Sequence, residues 1–469
     1  MRFNELYFFV FIALFFSVYF FLRGRTKLYF LLVASYFFYG WWDWRFLGVL
    51  WFTTAMDYTL GRLIESAQGP ARRRLMLVSV VANLSLLGYF KYCNFFIESA
   101  GDLLSMLGLQ VGLPVLNVVL PIGISFYTFM SMSYTIDVYR GDIKAERDWL
   151  RFSVFVCFFP HLVAGPILRP DHFLPQLREV KKASGREVVH GLCWIALGYV
   201  KKVVVADTLA VYVDRTFANP ELGGGAGLFV GAVFYAFQIY GDFSGYSDIA
   251  YGLAKIMGFD IGRNFKRPYL SQDFSEFWRR WHISLSQWLR DYLYISMGGN
   301  RGGLWRTMRN LFLTMLLGGL WHGPNWTFLV WGGLHGLFLI GQRSIPKSWL
   351  KSPESTWISS AARILVVFSL VTVTWVFFRS PSLDYALDYL LRIFTQPWAF
   401  GLIQHKFLVA KGGMLLLMLF CIELASEKWS MSGLVDRRPY LVSFFIGVAL
   451  CLIALAGSFD GGHFIYFQF

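Results

Sequence analysis

The chain has 469 residues, 56% of them hydrophobic and 15% charged, with a formal net charge of +14. A water-soluble globular protein carries nearer a quarter of its residues as charged side chains. The composition therefore excludes an ordinary soluble domain and points to an all-α polytopic membrane protein. A membrane β-barrel is disfavoured, because the apolar runs are continuous rather than alternating.

The first apolar run, 4–22, is preceded by a single basic residue, Arg2. It has no small-residue cleavage site and more apolar runs follow at once, so it reads as a retained span rather than a signal peptide. Further runs near the ~20 residues needed to cross a bilayer lie at about 28–46, 47–64, 75–98, 117–138, 152–168, 188–213, 228–258, 309–322, 326–342, 361–378, 406–425 and 441–459. With some of these re-entrant or interfacial, about 11 to 13 crossings are expected. No internal repeat is visible, and 1–469 reads as a single integral membrane domain.

Charge in the short loops orients the chain. Arg23, Arg25 and Lys27 follow the first span, and Arg62, Arg72, Arg73 and Arg74 follow the third. Excess Lys and Arg marks cytoplasmic loops, which puts the N-terminus outside. Lys428, Arg437 and Arg438 precede the last span and no Lys or Arg follows it, so the aromatic tail 460–469 is also expected outside. This use of the charge leaves membrane lipid as the expected partner and gives no reason to invoke nucleic acid. The five cysteines, at 93, 157, 193, 421 and 451, form no C-x-x-C, so no disulfide framework or metal site is readable.

Polar residues within apolar runs are costly and mark candidate functional positions. In chain order, "FFPHLVAGPILRP" (158–170) places His161 and Arg169 around an A-G-P break. "ELGGGAGL" (221–228) reads as a flexible loop and lacks the Lys-Ser/Thr of a phosphate loop. The long run 234–258 carries Gln238, Asp242, Ser244 and Asp248. Its two carboxylates need partners, either as ion ligands in a carrier or as hydrogen-bonded struts. The region 260–309 is basic and amphipathic, with Arg263, Lys266, Arg267, Arg279, Arg280, Arg290, Arg301, Arg306 and Arg309 among aromatic residues. Such a segment can lie at the cytoplasmic interface, and its cations could also meet a phosphorylated cofactor.

Within that region the spacing predicts one helix over about 274–296. Trp278, Trp281, Leu285, Trp288 and Tyr292 would form an apolar stripe, and Arg279, His282, Ser286 and Arg290 the polar stripe beside it. In "LTMLLGGLWHGPNWTFLVWGGLHG" (313–336), Pro324 removes a backbone donor and disfavours helical Gly323. The helix should break there, and a break at membrane depth is tolerated only in buried protein or beside a wet cavity. His322 is thus expected to point into a cavity at a helix end, where an imidazole could move a proton near neutral pH. A structural histidine or a transporter's proton relay fits the same residues. "IPKSWLKSPESTW" (345–357) reads as a polar connection.

Together these stretches carry a pattern. "ASYFFYGWWD" (34–43), "LGYFKYCNFF" (87–96), "LPIGISFYTFMSMSYTIDVYRG" (120–141), "FFPHLVAGPILR" (158–169), "YGDFSGYSDIAYGLAKIMGF" (240–259), the "EFWRRWHISLS…RDYLYI…GGNR" block and "GGLWHG" run in one order over about two-thirds of the chain. In this the chain resembles the membrane-bound O-acyltransferase superfamily, in its bacterial branch of alginate O-acetylation and teichoic acid D-alanylation proteins. The resemblance implies a ring of tilted helices around a thinned centre, with two funnels joined by a tunnel and a signature core at about 117–342. It implies that His322 lies in the tunnel and is catalytic, with His282 as the second signature histidine and no catalytic position for His335. Trp278, Arg279, Arg280, Trp281, Ser286, Arg290, Asp291, Trp321 and Asn325 become candidates for lining the tunnel or binding the donor. Asp242, Ser244, Asp248 and His161 become structural polar residues.

The ending "FIYFQF" (464–469) fits an F-x-Y-x-x-F tail of that branch, and makes Tyr466 a candidate acyl relay. An aromatic anchor at the membrane interface is the plainer reading of the same residues. The function implied is transfer of acetyl from a cytoplasmic donor, acetyl-CoA, across the bacterial inner membrane. An SGNH-type extracytoplasmic transferase would then O-acetylate an exported polysaccharide or cell-wall glycan. No permanently bound cofactor or metal is implied. D-alanyl transfer to teichoic acid, a proton-coupled transporter and a non-catalytic scaffold are the alternatives.

Overall fold

The computed structural model describes residues 1–162, 165–345, 356–401, 406–428, 431–437, 439–458 and 464–465. The described residues are all-α, as the composition requires. Five helices are long and apolar enough to cross a bilayer: Gly69–Met106, Gly185–Ala218, Gly225–Met257, Trp357–Arg379 and Lys406–Ser426. Leu6–Tyr19 and Tyr440–Ala456 are shorter apolar helices, and Trp149–Leu162 is a short apolar stretch made of two. Several runs expected as full crossings are thus shorter or broken. The run expected at 152–168 is split into Trp149–Cys157 and Phe159–Leu162, and the one at 117–138 begins only at Ile124. The connection at 346–355 lies outside the described residues.

The chain divides into two compact units, Met1–Lys182 with Met257–Ile261, and Ala183–Ile256 with Gly262–Phe469. In the first, Phe11, Phe15 and Phe38 pack around Phe159 with ring centroids 5.2–5.5 Å apart. One carboxylate, Asp57, is fully buried there. Ser79 donates to it at 2.6 Å and Asn83 at 2.9 Å, so its oxygens are satisfied by neutral groups.

In the second unit the Gly185–Tyr199 helix lies against Gly225–Met257 at matched glycines. A Cβ on Gly198 would stand 2.6 Å from the Gly245 carbonyl, and one on Gly252 would stand 2.5 Å from the Gly191 carbonyl. Small residues at such crossings let two backbones meet, which is how helices associate where lipid supplies no hydrophobic drive. After Tyr199 the backbone widens into a π turn, Val200–Ala206, before Asp207–Ala218 resumes the α-helix. A π turn inserts an extra residue and re-aims the side chains around it. The expected flexible loop at 221–228 is short: Pro220–Leu222 forms one tight turn and Gly225 already begins the next helix.

Candidate active site

The break predicted from Pro324 is present. The helix Leu304–His322 ends on the histidine, Gly323 is extended (φ −164°), and Trp326–Ser344 begins after Asn325. The Asn325 side-chain Oδ1 accepts from the Thr327 N–H at 2.9 Å, and its Nδ2 donates to the Pro381 carbonyl at 2.9 Å. Asn325 is therefore an N-cap that pins the turn. The two helices return against each other at Gly319 and Gly332, where a Cβ on either would lie 2.2–2.3 Å from a backbone carbonyl of the other helix. This close hairpin buries His322 in a cage of aromatic rings: Trp321 at 5.0 Å, Trp331 at 4.9 Å and Phe378 at 5.4 Å between centroids.

The single helix expected over 274–296 is not formed. Phe274–Arg280 and Ile283–Trp288 are separate helices, followed by a π turn, Leu289–Tyr294. Between the helices Trp281 is extended and His282 adopts the left-handed conformation, φ 42° and ψ 55°. The two stripes drawn on a continuous helix are accordingly cut at their middle. A left-handed non-glycine residue costs roughly 1–2 kcal/mol, and in the described residues only Arg267 and His282 show it. Such strain persists where surrounding structure over-determines it, often at a functional position.

Asn264 supplies that constraint. Its backbone carbonyl accepts from the Ile283 N–H at 2.9 Å. Its side-chain oxygen accepts from the Ser284 N–H at 3.2 Å and from the Ser284 hydroxyl at 2.9 Å. The same oxygen stands 3.3 Å from His282 Nδ1. The backbone donor fixes this atom as the amide oxygen, so a neutral His282 carries its proton on Nδ1 and its lone pair on Nε2. The ring is fully buried, edge-on to Phe243 at 4.7 Å and to Trp321 at 5.9 Å. The rings of His282 and His322 meet edge to face, 61° between planes, with centroids 6.5 Å apart.

The third histidine has a different part. The Thr374 hydroxyl donates to the Val371 carbonyl at 2.7 Å, so it accepts from His335 Nε2–H at 3.1 Å. His335 also packs on Trp278 and Trp331 at 5.1 and 4.8 Å. It binds the helix Trp357–Arg379 to the hairpin. Trp281 is fully buried and meets Trp375 at 4.9 Å, extending the aromatic wall.

The basic residues of the segment are not gathered at the histidines in the same way. Arg279 is exposed, Arg280 pairs with Glu276 at 2.6 Å, and Arg290 pairs with Asp291 at 2.7 Å. Ser286 donates to the Trp281 carbonyl at 3.1 Å, which braces the break. His161 belongs to the first unit. It is fully buried beside Phe158 (5.9 Å), with no hydrogen-bond partner for either ring nitrogen among the described residues. Tyr466 lies outside the described residues.

Asp242 and Asp248 meet partners that the spans conceal. Lys201 Nζ lies 2.8 Å from Asp248, and Lys202 Nζ lies 2.6 Å from Asp242 and 2.8 Å from Asp207. Both lysines come from the π turn, and all these side chains are nearly inaccessible to solvent. Tyr240 hydrogen-bonds Glu423 in the same neighbourhood. Ser244 is fully buried on the same helix, and its hydroxyl has no partner among the described residues. The signal for the lysines was "YVKKVVVAD" (199–207), two adjacent cations inside an apolar run. Asn264 had no comparable signal.

The membrane-bound O-acyltransferase family profile matches residues 146–380, which include both His282 and His322. The chain is 43% identical over 408 residues to "Probable alginate O-acetylase AlgI" of Pseudomonas aeruginosa, covering 85% of this chain and 75% of that one. The chain belongs to the membrane-bound O-acyltransferase family. It is an O-acyltransferase. It is also 34% identical over 419 residues to the peptidoglycan O-acetyltransferase of Helicobacter pylori, covering 82% of this chain and 78% of the relative. With the teichoic acid D-alanyltransferase of Bacillus subtilis it shares 27% identity over 280 residues, 55% of this chain and 68% of that one. The matched span of the O-acyltransferase also holds Asn264 and Thr374, which hydrogen-bond His282 and His335, and the π-turn lysines.

Proposed function

We propose that this O-acyltransferase carries acetyl groups from cytoplasmic acetyl-CoA across the bacterial inner membrane for O-acetylation of an exported polysaccharide or cell-wall glycan. The observation that carries the mechanism is the buried pair His282–His322, 6.5 Å between centroids, at the meeting of two helix breaks. His322 takes the proton of an acceptor hydroxyl. The hydroxyl oxygen attacks the thioester carbonyl, the new C–O ester bond forms, the C–S bond breaks, and the departing thiolate receives the proton. His282, with Nδ1–H directed at Asn264, offers Nε2 toward the same space and orients the exchange. The helix that ends at His322 presents carbonyls at that end. The first-turn N–H groups of Thr327 and Phe328 in the next helix are already taken by Asn325, so they are not the donors that stabilise the oxyanion.

The likeness to an alginate O-acetylase and to a peptidoglycan O-acetyltransferase supports acetyl and a glycan acceptor. The D-alanyltransferase likeness is weaker and shorter. Tyr466 is a reasonable first acceptor on energetic grounds. A phenol has pKa ~10 and a thiol ~8.5, so an aryl ester keeps much of the thioester's transfer potential, whereas an alkyl ester on a sugar lies well below both. An SGNH-type transferase outside the membrane would take the acetyl group onward. In this reading both termini are extracytoplasmic, in line with the Lys and Arg of the flanking loops. Reconstituted protein given radiolabelled acetyl-CoA should release CoA and place label on its own tail. Tyr466→Phe should remove that label and the ester on the polymer. Normal polymer acetylation by Tyr466→Phe would sink the relay.

A further inference from the structure

The tail does not hang from the last helix. The Ser458 N–H donates to the Val203 carbonyl at 3.0 Å, on the π turn that carries the two lysines. Farther on, Phe464 is 1% exposed and sits on Tyr246 at 4.3 Å and beside Phe243 at 6.0 Å between centroids. The Ile465 N–H donates to Asp242 Oδ2 at 2.8 Å. The other carboxylate oxygen, Oδ1, faces Lys202 at 2.6 Å. Phe243, the next residue, is the ring that stands edge-on to His282 at 4.7 Å. Asp242 thus has one oxygen for a buried cation and one for the backbone of the tail.

From this geometry we infer that Asp242, paired with Lys202, is the docking point of the C-terminal tail at Phe464 and Ile465, and that this contact positions the tail for acyl transfer. The inference rests on the proposed part of the tail in transfer. Three physical points support it. A charge-assisted hydrogen bond to a main-chain N–H is stronger than a neutral one and fixes register independently of side chain. Phe464 in the Tyr246–Phe243 slot adds the sequence preference, since a buried aromatic supplies large contact area. Lys202 is shared with Asp207 at 2.8 Å, so the cluster carries one cation for two carboxylates, and the tail N–H is a further donor to it. Asp242 acts through the tail and is a positioning residue.

The test uses the full chain in lipid nanodiscs. Amide hydrogen exchange of the C-terminal peptide is measured in the natural protein, Asp242→Asn, Ile465→Pro and Ile465→Ala, alongside acetyl ester on the polymer. The natural protein should protect the Phe464 and Ile465 amides. Asp242→Asn should speed their exchange by about tenfold or more, the scale of a hydrogen bond to a charged group. Ile465→Pro deletes the donor, and Ile465→Ala, which also trims this buried side chain but keeps the N–H, is its control. The proline variant should free the Phe464 amide and lower the ester by about tenfold or more, while Ile465→Ala keeps both. Tail amides still protected in Asp242→Asn would overturn the docking. Normal ester in Ile465→Pro would overturn the positioning. If Tyr466→Phe acetylates normally while Asp242→Asn releases the tail, the relay falls and the docking stands.

Discussion

The side-chain oxygen of Asn264 holds His282 Nδ1 at 3.3 Å while accepting two hydrogen bonds from Ser284. One amide thus fixes the tautomer of a buried imidazole and the left-handed turn that presents it. The arrangement makes Asn264 a determinant of rate rather than of donor affinity. Asn264→Ala should lower kcat by about 10- to 100-fold, the scale of losing orientation of a reacting group, with KM for acetyl-CoA little changed. Steady-state turnover of purified variants measures this. A rise in KM alone would place Asn264 in donor binding.

His335 and Thr374 predict the opposite pattern. Their 3.1 Å hydrogen bond joins two helices, and Thr374→Val leaves the histidine's Nε2–H without its acceptor. The cost should be about 1–3 kcal/mol of stability. Thermal unfolding in detergent should show the loss, while activity per folded molecule at low temperature stays close to normal.

Lys202 should be essential for folding. Lys202→Met strips the cation from Asp242 and Asp207 and leaves buried charge uncompensated, at about 3–5 kcal/mol. The double variant Lys202→Met with Asp207→Asn should recover part of the lost folded yield. Equal yields from single and double variants would mean that the three groups are not coupled.

Gly332→Ala tests the hairpin that delivers His322. The added methyl would stand 2.3 Å from the Met315 carbonyl, a backbone atom that cannot swing aside. Overpacking of this kind costs about 1–3 kcal/mol, and the displaced hairpin should lower activity of the folded fraction as well. Melting temperature and specific activity should therefore fall together.

Much of this site was legible in the sequence, and the reasons differ by residue. Pro324 announces the break after His322, because proline forbids helix continuation through its own geometry. The break at Trp281–His282 carries no proline or glycine. There periodicity favours one continuous helix, and the tertiary hold of Asn264 overrides it. Lys201 and Lys202 stand as cations in an apolar run, yet the sequence does not single them out, because an apolar run alone does not say which carboxylate they will meet. Span length was overread for a related reason. The run 152–168 reads as one span although it holds Pro160 and His161, and its helix breaks at Phe158, two residues before that proline.

The most direct measurement concerns His322 itself. His322→Ala should insert and fold normally in the membrane, consume acetyl-CoA at least about 100-fold more slowly, as expected for loss of a general base, and leave the exported polymer without acetyl ester. Unchanged ester on the polymer, with normal amounts of the variant in the membrane, would contradict His322 as the base of the reaction.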